Sequence, residues 1–91
     1  MIHAKKKDLV HNPIVRVLRD VGAEVKETYQ HPKMLDVIVG YRGRIFWADL
    51  KTGNAKLTPE EQELFDAFAR VGVTLYIWRS ADQALRDIGA I

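Results

Sequence analysis

Apolar residues recur at two different spacings along these 91 residues, and the switches between them predict the elements. Ile14, Val17, Leu18 and Val21 have helical spacing, with Asn12 as cap, Pro13 in the first turn and Gly22 as the stop. Residues 23–29 alternate polar and apolar, as a half-exposed strand does, and His31-Pro32 breaks the run. Residues 34–39 and 44–51 are mostly apolar strands joined by the turn Gly40-Tyr41-Arg42-Gly43. Thr58, Pro59 and Glu61 open a second helix with a capping box. Leu64, Phe65, Phe68 and Val71 form its apolar stripe, and Gly72 ends it. Residues 73–78 read as a fourth strand. Ser80 and Gln83 form a second capping box, opening a short last helix that runs to Ile88.

The order is α-βββ-α-β-α. Three sequential strands form an antiparallel meander, and a right-handed crossover through the second helix sets the fourth strand parallel to the third. The expected class is α/β, a four-stranded mixed sheet flanked by helices on both faces. The chain reads as one domain over residues 1–91, with residues 1–11 as a loose basic arm.

Composition narrows the chemistry. Cysteine is absent, which excludes disulfides, thiolate zinc sites and cysteine nucleophiles. His3, His11 and His31 lack metal-ligand spacing. There is no transmembrane-length apolar run and no signal-peptide pattern at the start, so a cytoplasmic location is expected. The net charge of +2 is unevenly spread. Residues 1–56 hold 11 Lys/Arg against 6 Asp/Glu, whereas residues 57–91 hold 3 against 6. A basic half suits a polyanionic partner, although an unevenly charged solvated surface gives the same count.

Candidate chemistry lies on the central strands. Asp36 and Asp49 interrupt two apolar runs, and Lys51 shares a strand face with Asp49 because side chains alternate. Charge in a strand is costly unless it is paired or bound to a metal. Alone, Asp49-Leu50-Lys51 reads as a same-face ion pair. A second acid at hairpin distance changes that reading. Two carboxylates and the Leu50 main-chain carbonyl suit a hydrated Mg²⁺ or Mn²⁺, which takes oxygen ligands and keeps several waters. Lys51 beside such an ion would orient or deprotonate a water, or offset charge on a phosphate.

Together, Leu35-Asp36, Asp49-Leu50-Lys51 and Leu57-Thr58-Pro59-Glu60-Glu61-Gln62 resemble the PD-(D/E)xK nuclease superfamily. The pattern is most similar to the small stand-alone VRR-NUC type, which resembles Holliday-junction resolvases. The resemblance spans residues 12–88. It implies a restriction-endonuclease-like αβββαβ(α) core and a metal-dependent DNA endonuclease selective for branched or junction DNA, of the kind found in phages. It also implies a homodimer, since cutting two strands symmetrically needs two sites. Asp36, Asp49, Lys51 and Gln62 would be catalytic, with Asp36, Asp49 and the Leu50 carbonyl on the metal. Leucine replaces the proline of the motif at position 35. No glutamate precedes residue 24 to supply the first-helix ligand; Asp8 is the candidate substitute, ahead of Asp20 and the neutral Asn12.

Lys56, Arg42, Arg44 and Lys33, with Lys5, Lys6 and Lys7, are candidate phosphate contacts, which position DNA without reading its sequence. Tyr41 is the aromatic residue placed for a base contact; Trp47, Tyr76 and Trp78 read as core. The alternative function is a nucleic-acid-binding or assembly domain that keeps the fold and does not cut.

Overall fold

The structure is a computed structural model describing residues 12–28 and 35–91. Its elements are α1 (Pro13–Asp20), β1 (Glu24–Glu27), β2 (Val37–Tyr41), β3 (Arg44–Leu50), α2 (Pro59–Arg70), β4 (Tyr76–Trp78) and α3 (Ala81–Ile88). The sheet order is β1-β2-β3-β4, antiparallel except for the parallel β3–β4 pair. This is the mixed α/β sheet expected from the pattern.

Local chemistry sets the helix boundaries. Asn12 Oδ1 accepts the Ile14 amide at 2.8 Å. At α2 the box is reciprocal: Thr58 Oγ1 accepts the Glu61 amide at 3.2 Å, and Glu61 Oε1 accepts the Thr58 amide at 2.8 Å. At α3 the box is half formed. Ser80 accepts the Gln83 amide, but the Gln83 side chain reaches past Ser80 to the Arg79 amide.

All four strands differ from their sequence limits, and two of the differences have a visible cause. The fourth was expected over 73–78 but begins at Tyr76. The Val73 amide is used at the end of α2, donating to the Phe68 carbonyl at 2.9 Å. Gly72 there has φ +83°, a left-handed turn that releases the chain from the helix. The second strand was expected to include Asp36, yet β2 starts at Val37 and Asp36 sits in the bend before it. That bend is tied to β1 by Thr28, whose amide donates to the Asp36 carbonyl at 2.7 Å and whose hydroxyl donates to the Leu35 carbonyl.

The β2–β3 hairpin closes on Arg42 and Gly43, both with positive φ (49° and 80°), the backbone of a two-residue turn that follows the sheet twist.

The two sheet faces are covered unequally. Val25, Val37, Val39, Phe46, Ala48, Leu50 and Trp78 pack against Ile14, Val15 and Leu18 of α1 and Ala84, Leu85 and Ile88 of α3. Trp78 is fully enclosed, and its Nε1 donates to Asp87 at 2.9 Å. The opposite face carries Trp47 and Asp49 and faces α2, where the Phe68 ring meets Trp47 edge-on at 5.8 Å. No residue of α2 is fully buried, and Val71, expected in its apolar stripe, is 75% exposed. The helix lies over this face as a partial cover, on the side that carries Asp49, whereas Glu27 and Arg44 lie on the other face and bond to α1 and the end of α3. Among the described residues no helix is long and apolar enough to cross a membrane.

Candidate active site

The register of the hairpin brings the two acids together. Val37 pairs with Ala48 in the last rung of the β2–β3 ladder, and Asp36, in the bend just before β2, lies beside Asp49 just past Ala48. Both are buried, Asp36 at 4% exposure and Asp49 at 0%. Asp36 Oδ2 accepts the Leu50 amide at 2.8 Å, so the strand carrying Asp49 also holds the carboxylate across from it.

Asp49 is enclosed with little compensation. Its Oδ1 has no hydrogen-bond partner among the described residues. Its Oδ2 lies 2.9 Å from Lys51 Nζ, which shares its face because the two are two residues apart. Burial pushes the Asp49 carboxyl up to about 7; Lys51 opposes the shift, and the Asp36 charge adds to it.

Lys51 bridges two acids. Its ammonium lies 2.9 Å from Asp49 Oδ2 and 2.9 Å from Glu61 Oε1. Burial alone would lower its pKa, but the two carboxylates outweigh burial and raise it. Glu61 shows the mirror balance: burial would raise its pKa, and the Thr58 amide and Lys51 together lower it. Lys51 is therefore held as a cation.

Glu61 is the site residue that sequence reasoning missed. The chain read it as a helix cap, and it is one. Its contact with Lys51 follows from α2 lying on the Asp49 face, which the capping pattern does not encode. Gln62, by contrast, is exposed on the first turn of α2, and its Nε2 donates to Asp66 at 3.0 Å rather than reaching the acids.

The basic candidates separate. Lys56 is exposed in the loop between β3 and α2, beside the acids in the chain. Arg42 and Arg44 are at the hairpin, the other end of β3; five residues of strand put Arg44 about 17 Å from Asp49. Arg42 stacks over Tyr41, and Arg44 donates to the Ile88 carbonyl at 2.7 Å, fastening the end of α3. Lys33 and Asp8 lie outside the described residues, as do Lys5, Lys6 and Lys7. A cleft of about 380 Å³ opens beside Lys51, lined by Asn12, Leu50, Gly53, Arg79 and Ser80 among others. Arg79 Nη1 donates to the Gly53 carbonyl at 2.8 Å, tying the loop after Lys51 to the end of β4.

No group of three or more His, Asp or Glu side chains among the described residues is arranged to hold a metal. The carboxylates brought together are those of Asp36 and Asp49. Two carboxylates satisfy Mg²⁺, which completes its shell with water and substrate oxygens. Asp49 Oδ1, buried and without a hydrogen-bond partner among the described residues, and an Asp49 pKa raised by burial and by the Asp36 charge fit a divalent cation there.

No family model matches the chain, and no curated protein matches it. A solved structure described as "VRR_NUC domain" matches it with a TM-score of 0.68 and 21% identity, over 94% of this chain and 97% of that one. At this identity the likeness is one of fold: the chain has the fold of a VRR_NUC domain.

Proposed function

We propose that this chain is a Mg²⁺- or Mn²⁺-dependent DNA endonuclease acting on branched or junction DNA. The observation that carries the reading is the buried Asp36–Asp49 pair with the Lys51 ammonium 2.9 Å from Asp49. The VRR_NUC fold supports it.

In this reading Asp36, Asp49 and the Leu50 carbonyl hold the metal. When bound, the ion polarises a phosphate oxygen and lowers the pKa of its water. The Leu50 amide fixes the Asp36 carboxylate beside Asp49. Lys51 serves as a cation: paired with two carboxylates, it is poor as a base and well suited to orient a water and offset charge on the phosphate. Lys56 contacts a neighbouring phosphate from the loop. Gln62, once released from Asp66, touches the strand from the start of α2. Symmetric cutting of a junction places the chain in a homodimer.

The test is a labelled four-way junction, flap and linear duplex incubated with Mn²⁺, Mg²⁺ or EDTA. Metal-dependent cleavage lost in Asp49→Ala and Lys51→Ala is expected, with the junction cut fastest. Cleavage surviving both substitutions would sink the site. Metal-independent binding without cleavage would favour a non-cutting nucleic-acid-binding domain.

A further inference from the structure

We infer that Glu61 is a positioning residue that keeps Lys51 in the site when a divalent cation takes Asp49. The inference rests on the metal reading above.

Lys51 and a metal ion compete for one carboxylate. The ammonium lies 2.9 Å from Asp49 Oδ2, on a side chain that is 0% exposed. A divalent cation on that carboxylate repels the ammonium, and the repulsion is strong where water is excluded. Lys51 then needs another partner or must leave.

Glu61 is that partner, and its place does not depend on the metal. Its Oε1 lies 2.9 Å from Lys51 Nζ and also accepts the Thr58 amide at 2.8 Å. The second bond belongs to the capping box that starts α2, so the helix holds the carboxylate whether or not Asp49 is free. One oxygen thus links the start of α2 to the ammonium. Without it, Lys51 has Asp49 alone among the described residues and resists its capture by the metal.

Glu61→Gln isolates this effect. A glutamine oxygen still accepts the Thr58 amide, so the cap and the fold are retained. The probe is Mn²⁺ alone, titrated by calorimetry into the full chain. The expected result is an affinity weakened roughly fivefold in Glu61→Gln, within the range for residues of one ion-pair network. In a Lys51→Met background, where the competitor is gone, the same substitution leaves Mn²⁺ affinity nearly unchanged. A second readout is kinetic: kcat for DNA falls roughly tenfold in Glu61→Gln while KM holds, as for an interaction made in the transition state. Wild-type affinity in Glu61→Gln would overturn the inference, as would an equal loss in the Lys51→Met background, which would mean that Glu61 acts on the metal directly. A wild type that binds no Mn²⁺ would instead overturn the metal reading beneath it.

Discussion

The Leu50 amide donates to Asp36 Oδ2 at 2.8 Å, so the two acids of the site are fixed by one strand: Asp49 by its place in β3 and Asp36 by a bond to the next residue. Asp36 lies in a bend rather than in a strand ladder, and this bond replaces the ladder in orienting it. The two carboxylates are thereby held close, in a buried place, against their repulsion.

Asp36→Asn and Asp36→Ala should therefore differ. The asparagine oxygen still accepts the Leu50 amide, so this variant keeps that bond in EDTA at pH 8. Alanine leaves the amide without its acceptor, and a lost buried partner costs roughly 1–3 kcal/mol. Asp36→Ala should melt below Asp36→Asn in the same scan. Both should lose cleavage.

Stability in EDTA should depend on pH through Asp49. Its folded pKa is raised from 3.8 to about 7, so the folded state binds a proton more tightly than the unfolded chain does. The resulting stability is fully present below the unfolded value and is lost as pH rises through the folded one. The melting temperature should fall between pH 4 and pH 7 and then level off. Glu61 acts in the opposite sense and lower down: its pKa is depressed below 4.5, so its contribution is lost in acid. Asp49→Asn should flatten the fall between pH 4 and pH 7 in a differential-scanning series; an unchanged slope would count against the burial argument.

The basic residues should separate by position. Lys56→Ala should weaken DNA binding and reduce the slope of log K against log salt by about 1, as the loss of one phosphate contact does. Arg42→Ala should change that slope less, because the hairpin lies at the far end of β3. Arg44→Ala should register mainly as stability, about 1 kcal/mol for its bond to the Ile88 carbonyl. Fluorescence anisotropy across a salt series, with a melt of each variant, distinguishes these outcomes.

Much of this fold was legible because its signals are local. Asn12-Pro13 and Thr58-Pro59 cap helices within four residues of themselves, and the structure begins helices there. The Arg42-Gly43 turn fixed the hairpin register and, with it, the meeting of Asp36 and Asp49. Other features depended on contacts that the sequence does not carry. The Val73 amide went to the end of α2 and shortened β4. Gln62 and Glu61 are neighbours in one helical turn, about 100° apart around the axis, and only the packing of α2 decides which faces the sheet. It is Glu61 that meets Lys51.

The measurement closest to the central claim is calorimetry of Mn²⁺ binding at pH 6 and pH 8.5, in buffers of different ionisation enthalpy. A carboxyl with a pKa near 7 is about nine-tenths protonated at pH 6 and must lose its proton to ligate a metal. The Asp36–Asp49 site predicts one bound Mn²⁺ per chain, with close to one proton released at pH 6, almost none at pH 8.5, and binding abolished in Asp49→Asn. The absence of Mn²⁺ binding, or binding that persists in Asp49→Asn, would contradict it.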